Sequence, residues 1–380
     1  MTRQRGTQAG EELGGMVRKE LGGASPDAII VFATPDQDHG ALLESLTGAC
    51  QPRALVGCSS AGEFTSDEAG VGMTCVVALS APEMRFSAVI GRGLREDRAA
   101  AATRMVDGFH GTQTPGFRHH AALVLTDALA GFAADLVDQL TLLTGGTYRF
   151  FGGGAGDDAR FERTVVFCGT EVVTDAAVAL EILSNKPIGI GVRHGWAPCG
   201  ERMRVTAAEG MRVNSLNAVP AAEVFHAHAV ATGQSFDRQE PVPFFLHNVL
   251  GVESPEGYRL RVPLAVQDDD SVDCAADIAT DASACIMSTT PGEAAAAAAW
   301  ATRTAVEQLE GHEPAVALVF DCVATRLRLG QAFSAELDAV QGELGRVPMA
   351  GFNTYGQIAQ SEGQFSGFHN CTAVVCTIPR

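Results

Sequence analysis

The residues with the most evident chemical potential lie in two glycine-rich turns far apart in the chain. The first turn, Gly57–Glu63, holds Cys58, Ser59, Ser60 and Gly62. The second turn, Gly351–Gln357, holds Asn353, Thr354, Tyr355 and Gly356, and the two agree position for position in glycine and small polar residues. Glycine lets the backbone approach a ligand closely, and the polar side chains supply hydrogen bonds. We therefore expect both turns to line one ligand pocket.

A third turn, Gly152–Asp158, adds Gly153 and Gly154 to the predicted pocket. It is not a phosphate-binding loop, because a P-loop needs Lys followed by Ser or Thr after its last glycine. Here Asp157 and Asp158 occupy that place and would repel phosphate. The dinucleotide pattern fails at Asp157 as well.

Cys58 also permits a second interpretation, a nucleophile in a thiol-dependent enzyme. A catalytic cysteine needs a neighbouring base that lowers its pKa. No histidine lies near Cys58 in the sequence, so a non-enzymatic role is predicted and the Cys58 enzyme remains an alternative.

Three histidines could ligate a heme iron, which needs an axial side chain in an apolar slot. They are His194, where a strand becomes a loop, His247, after an apolar run, and His369, before the last strand. His194 is the first choice as metal ligand, with Trp196 beside it and Arg193 as a partner for a propionate. Arg261 is a second candidate for a carboxylate partner.

Repeated elements must position these residues. Each turn follows a buried strand, a helix of about three turns and a second short strand, which indicates duplicated supersecondary units. The alternation predicts an α/β fold, or α+β with mixed sheets. We predict an extension over 1–26 and two domains, 27–220 and 221–380. Residues 73–79 and 84–90 are expected to pair as a hairpin, and Thr290–Glu293 is a capping box that starts a helix.

Composition restricts the partners. The chain has 380 residues and a formal net charge of −18, so nucleic acid and anionic membranes are not expected as partners. Its ten cysteines form no CxxC pair and predict reduced thiols in the cytoplasm. We find neither a secretion signal at the first residues nor an apolar run of membrane-spanning length.

The turns at Gly57–Glu63 and Phe151–Asp158 and the segment His194–Gly200 resemble the FIST N domain. Arg261–Leu264, Phe320–Val323 with Glu336, Val347–Gly356 and His369–Thr372 resemble the FIST C domain. The resemblance extends from about residue 27 to the C-terminus. One difference is Gln357, where the family usually has glutamate, so a ligand role for that carboxylate does not transfer.

This resemblance implies an intracellular sensory protein that binds a small ligand. We expect the ligand in a cleft between the two domains, faced by the first and second glycine turns. Stand-alone chains of this length resemble the family's nitric-oxide-sensing hemoproteins, which regulate a separately encoded histidine kinase. A cyclic-di-GMP enzyme is another partner that the resemblance suggests. An amino acid or another small polar metabolite is the alternative ligand.

Overall fold

The computed structural model describes residues 1–111, 116–360 and 367–380. Its helices are α1 Gly6–Glu20, α2 His39–Cys50, α3 Arg98–Asp107, α4 Ala133–Leu143, α5 Ala221–Thr232, α6 Val242–Phe245, α7 Pro291–Glu307, α8 Val323–Leu329 and α9 Ser334–Leu344. Its strands are β1 Ala28–Ala33, β2 Ala54–Ser59, β3 Glu63–Thr65, β4 Ala69–Gly70, β5 Thr74–Leu79, β6 Arg85–Arg92, β7 His119–Thr126, β8 Tyr148–Gly154, β9 Val166–Cys168, β10 Glu171–Val173, β11 Ala176–Ser184, β12 Gly189–Arg193, β13 Ala197–Pro198, β14 Met203–Glu209, β15 Arg212–Leu216, β16 Val219–Pro220, β17 Val249–Ser254, β18 Gly257–Arg261, β19 Pro263–Val266, β20 Val272–Cys274, β21 Ser283–Ser288, β22 Pro314–Cys322, β23 Met349–Thr354, β24 Gln357–Ala359, β25 Gly367–His369 and β26 Ala373–Pro379.

Three strand–helix–strand units form the framework and confirm the predicted repeat. Strands β1 and β2 pair in parallel across α2, β7 and β8 across α4, and β22 and β23 across α8 and α9. A parallel pair requires a crossover connection, and the amphipathic helices supply it. Each first strand also pairs with an antiparallel strand on its other side, namely β5, β11 and β26.

The strand after each unit joins the sheet of a different unit. After β2 the chain crosses to β3, which pairs with β23, and after β23 it crosses to β24, which pairs with β8. After β8 the chain reaches β9, which pairs with β2. The three exchanges therefore close a ring in which every sheet takes a strand from a neighbouring unit.

The inner faces of the three sheets share one apolar core. Phe32 stacks on Phe352 with ring centroids 4.5 Å apart, and Phe320 contacts both rings edge-on. Phe151 brings the third sheet into the same cluster through Phe320. All four side chains are fully buried, and each contributes roughly 1.5–3 kcal/mol by leaving water.

A second, β-rich domain carries nine strands, ordered β18-β17-β21-β14-β15-β20-β19 with β13 and β16 at the side. Its own core forms around Phe225, Phe244 and Phe245. The structure is thus an α/β fold with two domains and mixed sheets, as predicted. Strands from both sides of residue 220 share sheets, since β12 pairs with β26 and β24 with β8.

Two local expectations had different outcomes. The hairpin between residues 73–79 and 84–90 is wrong, because β5 pairs with β1 while β6 pairs with β11 in another sheet. Each strand completes the sheet of a different strand–helix–strand unit instead of pairing locally. The capping box is confirmed: Glu293 N–H donates to the Thr290 hydroxyl at 3.2 Å, and Thr290 N–H to the Glu293 carboxylate at 2.8 Å.

Helix α1, in the predicted N-terminal extension, packs closely on α2. A Cβ atom at Gly10 would lie 2.6 Å from the Leu42 carbonyl oxygen, and one at Gly14 would lie 2.5 Å from Ala49 Cβ. Glycine at these positions therefore allows the two helices to approach. Among the described residues, no helix is long and apolar enough to span a membrane.

Candidate functional site

The three glycine turns meet each other at the centre of the ring of units. Ala61 N–H donates to the Asn353 carbonyl at 3.1 Å, and Asn353 N–H donates to the Gly62 carbonyl at 2.8 Å. Gly154 and Gly356 are joined by a backbone hydrogen bond of 2.9 Å, and Gly156 N–H donates to the Ser59 carbonyl at 2.9 Å. The turns therefore converge, and they do so backbone against backbone.

Glycine is needed here for packing. Gly62 has φ +122°, and a Cβ atom there would lie 2.8 Å from Asn353 Oδ1. Gly356 has φ +88°, and its Cβ would lie 2.0 Å from the Phe368 ring. Both positions combine a left-handed backbone with a close neighbour, a combination that only glycine meets without strain.

A cavity of about 290 Å³ opens beside this junction, between the α/β core and the β-rich domain. Its lining comes from the α4 entry, from α8, from strands of the β-rich domain and from the end of the second glycine turn. The lining residues are Ala128, Leu129, Gly131, Phe132, Ala133, Ala134, Phe161, Met211, Val242, Leu246, Val262, Pro263, Leu264, Cys274, Ala275, Ala276, Asp277, Cys322, Val323, Ala324, Leu327, Tyr355, Gly356, Phe368 and Asn370. Most of these side chains are apolar, which is typical of a small-molecule pocket.

Four exposed large apolar side chains contribute to the cavity lining. Phe132, Phe161, Val242 and Leu327 are 42–51% exposed, and all four belong to the lining. Contiguous exposed apolar surface marks ligand or partner sites. A larger groove of about 630 Å³ lies between β5, β6 and the C-terminal strand, and none of the predicted site residues belongs to it.

A shaped loop holds Phe161 over the cavity. The Asp157 carboxylate accepts N–H bonds from Phe161 at 2.9 Å, Glu162 at 2.7 Å and Arg163 at 2.9 Å, and it also accepts the Tyr355 hydroxyl. Phe161 has φ +56° and stacks on Tyr355 with centroids 4.7 Å apart. A non-glycine residue in this conformation stores strain that functional sites often carry.

The predicted ligand-binding residues fall into two groups. Tyr355 and Gly356 line the cavity. The others lie at the buried junction of the turns or next to it: Cys58, Ser59, Ser60, Gly62, Gly153, Gly154, Asn353 and Thr354. Of these, Ser59 also reaches a smaller cleft of about 160 Å³ beside Asp157.

Cys58 is completely buried in the shared apolar core. Burial, and then the neighbouring Glu63 carboxylate, raise the pKa of the Cys58 thiol well above its ordinary value. A buried thiol of this kind is inert, because the thiolate is the nucleophile. The placement of Cys58 therefore gives no support to the Cys58 enzyme.

Glu63 itself is a buried carboxyl group at the junction. It accepts the Ser60 hydroxyl and Met73 N–H, the latter at 3.2 Å. Burial raises the pKa of Glu63 to about 8, in spite of these two hydrogen bonds. The half-buried Arg326 side chain lies near enough to act in the opposite direction. Burial thus favours the neutral form of Glu63.

The three candidate heme ligands lie outside the cavity lining. His194 uses both ring nitrogens: Nε2 is 2.8 Å from the Tyr258 carbonyl oxygen, and Nδ1 accepts Trp196 N–H at 3.2 Å. His369 is buried, and its burial lowers the pKa of the ring to about 3. His247 is exposed in the turn after α6. As placed, these side chains do not form an axial site at the cavity, and heme binding stays a prediction.

The other predicted heme contacts have structural partners. Arg193 lies over the Trp300 ring, 4.8 Å from its centroid, and Trp196 is covered in the same way by Arg328 at 5.2 Å. Arg261 is buried and donates to the Asp277 carbonyl at 2.7 Å. Within the described residues, no group of three or more His, Cys, Asp or Glu side chains is arranged to hold a metal ion.

Sequence reasoning missed polar residues of the cavity, among them Cys322 and Asn370. Cys322 ends β22 and Asn370 follows β25, and both line the cavity although each is at most 3% exposed. Both belong to motifs that carried the family resemblance, Phe320–Val323 and His369–Thr372. The motifs were the available signal, but only the fold shows that they meet.

This fold and cavity define a two-domain α/β protein with a cavity between its domains. A match to the FIST N domain covers residues 27–219, and a match to the FIST C domain covers residues 221–360. The chain therefore belongs to the FIST family, whose domains serve small-ligand-binding sensory signal transduction.

Two relatives are uncharacterized proteins of Mycobacterium tuberculosis, from strains CDC 1551 / Oshkosh and H37Rv. Each is 25% identical to this chain over 409 residues, covering 96% of this chain and 94% of its own length. Among solved structures, phosphoribosylformylglycinamidine synthase II from Thermotoga maritima aligns over 98% of this chain and 68% of its own, at 13% identity and a TM-score of 0.19. A likeness this weak carries no argument.

Proposed function

We propose that this protein is a sensor whose ligand is a small, mainly apolar molecule bound in the 290 Å³ cavity. The observation that carries the proposal is the set of exposed apolar side chains in the cavity lining, Phe132, Phe161, Val242 and Leu327. Water contact with these side chains is unfavourable, so a ligand that covers them gains binding free energy. Asn370 and Tyr355 supply the few polar contacts that orient a ligand.

The lining favours this ligand class over an amino acid. Asp277 is the charged residue among the described lining residues. An amino acid would bring a carboxylate to this surface without a cationic partner, and burying an unpaired charge is costly. An amino acid or other polar metabolite therefore ranks second.

Heme with nitric oxide as signal is the more specific version that the resemblance suggests. Its support is the family alone, because His194, His247 and His369 lie outside the cavity lining. A hemin titration tests it directly. If a Soret band forms and is lost when one of these histidines is changed to alanine, the ligand is heme and not a small apolar molecule.

The signal would pass through the domain contact. The cavity wall includes Met211, Leu246 and Val262 from the β-rich domain and Val323 and Ala324 from the core. A ligand that bridges them changes the relative stability of alternative domain packings, and interdomain contacts are commonly the movable ones. A separately encoded histidine kinase or a cyclic-di-GMP enzyme would sense the change.

The test is a thermal-shift screen of apolar small molecules against the protein and a cavity-filling variant. A ligand that binds only the folded state raises the melting temperature. At a hundredfold excess over Kd, it adds roughly 2.7 kcal/mol to the free energy of unfolding. We expect Ala324→Phe, in the cavity wall, to abolish the shift. Ala296→Phe, at an exposed position of α7, is the matched control and retains the shift. An equal shift in both variants would place the ligand elsewhere.

A further inference from the structure

Two cysteine thiols meet at the polar end of the cavity. Cys322 is the last residue of β22 and lines the cavity, and Cys371 lies in the turn between β25 and β26. They are 3% and 4% exposed, and both are free thiols. Cys371 has φ +49°, so the backbone of this turn is held in the left-handed region. The ring of exchanged strands thus brings together two sulfur atoms 49 residues apart.

Several hydrogen-bond donors surround Cys322 Sγ, and the buried carboxyl groups of Asp321 and Glu336 also lie near it. Arg328 acts on both Cys371 and Glu336. The Cys371 thiol, Cys371 N–H, Ala324 N–H and the side-chain amide of Gln357 all act on this sulfur. Gln357 is itself held, since it donates to the Thr354 hydroxyl at 2.6 Å. Donors favour the anionic form of the atom they surround. They lower the pKa of the Cys322 thiol to about 6 although burial opposes them.

Cys371 is the complementary partner in this pair. The hydrogen bond that it donates to Cys322, together with burial, raises the pKa of the Cys371 thiol well above its ordinary value. Of the two sulfurs, that of Cys322 therefore ionises more readily, and Cys322 is the one of the pair that lines the cavity. This is the arrangement of an attacking and a resolving cysteine.

An unsatisfied acceptor beside the sulfur provides separate support for a ligand. Asn370 is 2% exposed and lines the cavity, and its Oδ1 has no hydrogen-bond partner within the described part of the chain. A buried acceptor left unpaired costs roughly 1–3 kcal/mol. A ligand with an O–H group at its polar end would satisfy it, while its apolar end lies among the exposed aromatic side chains.

We propose that Cys322 and Cys371 form an oxidation site for organic hydroperoxides that enter the cavity. A molecule R–O–O–H places its apolar group on the lining and donates its O–H to Asn370. The Cys322 thiolate attacks the terminal oxygen, the S–O bond forms and the O–O bond breaks. The alkoxide R–O⁻ leaves and takes the proton that the Cys322 thiol released.

The second step joins the two sulfurs. Cys371 attacks the sulfur of the Cys322 sulfenic acid, the disulfide forms, and hydroxide leaves with the Cys371 thiol proton as water. The two sulfurs lose two electrons in total, and the peroxide bond gains them. A dithiol reductant restores the free thiols. The disulfide would tie the start of α8 to the β25–β26 turn and so alter the cavity wall.

This site shares the cavity with the proposed reversible ligand but does not depend on it. The experiment follows the sulfur chemistry by peptide mass spectrometry of the full chain after reaction with cumene hydroperoxide or hydrogen peroxide. We expect a Cys322–Cys371 disulfide, formed faster with cumene hydroperoxide, at a rate that rises with pH and levels off below the ordinary pKa of a thiol. Dithiothreitol should reverse it.

Two variants make the result decisive. Cys371→Ser keeps the attacking thiol but not the resolving one, so dimedone should trap a sulfenic acid on Cys322. Cys199→Ser, which removes an exposed thiol, is the matched control and should still form the disulfide. The proposal is overturned if Cys322 stays reduced in both the unaltered chain and the folded Cys371→Ser variant. Hydrogen peroxide reacting as fast as cumene hydroperoxide would overturn the role of the cavity. A thermal shift with other apolar ligands would persist in either case.

Discussion

Replacing Glu63 by glutamine should remove a pH dependence of folding that originates at the junction of the glycine turns. Burial raises the pKa of the folded-state carboxyl to about 8, from an ordinary value of 4.5. Because the folded-state pKa of Glu63 is raised, the contribution of this carboxyl group to the free energy of unfolding is fully present below pH 4.5. It is lost as the pH rises towards 8, because the unfolded chain ionises more readily.

The magnitude follows from the size of the shift. Each pH unit between the two pKa values changes the free energy of unfolding by about 1.4 kcal/mol. Over the interval from 4.5 to about 8, the loss amounts to roughly 5 kcal/mol. Glutamine has the same shape, can accept Met73 N–H and can donate to the Ser60 hydroxyl, but does not ionise. Glu63→Gln should therefore gain on the unaltered protein as the pH rises.

The assay is denaturant unfolding of both proteins at pH 5, 6, 7 and 8. Taking the difference between the two proteins cancels the contribution of other buried acids, such as Glu336, whose pKa burial also raises. Glu96→Gln, at an exposed position, is the control and should track the unaltered protein at every pH. Stability curves that run parallel for Glu63→Gln would show that Glu63 is ionised when folded, and the reasoning would fail.

Two further predictions concern the same junction. Gly62→Ala should destabilise the fold by roughly 1–3 kcal/mol, because it adds a Cβ in a left-handed backbone 2.8 Å from Asn353 Oδ1. Gly93 also has a positive φ, +75°, but open space around it, so Gly93→Ala is the control and should lower the stability less in thermal unfolding. The difference between the two variants measures the clash at Asn353, and equal destabilisation would contradict the prediction. Asp157→Asn should loosen the loop at Phe161, because one carbonyl oxygen replaces a carboxylate that accepts three N–H groups. Hydrogen exchange measures this, and unchanged protection of the loop amides would contradict it.

Much of the framework could be predicted from the sequence. The repeated strand–helix–strand units follow from apolar runs and glycine turns, whose pattern is local. Pairing between distant strands is not local. The hairpin of residues 73–79 and 84–90 failed because nothing in those residues shows that β1 and β11 are their partners.

The candidate site was predictable only in part. Likeness between Gly57–Glu63 and Gly351–Gln357 correctly indicates that the turns meet, since both exchange strands at the same junction. The same glycines fit close backbone packing as well as ligand contact, and sequence does not separate these uses. Cys322 and Asn370 are far apart in the chain, and only the exchange of strands places both on the cavity.

The closed ring of exchanged strands has a mechanical consequence. Tyr355 lies on the crossover from β23 to β24, so a molecule that displaces it pulls on two sheets at once. Because the third sheet exchanges strands with the other two, a displacement at one exchange point is transmitted to all three sheets. In such a ring of three sheets, a small displacement at one edge strains all three sheets, which suits a sensory protein.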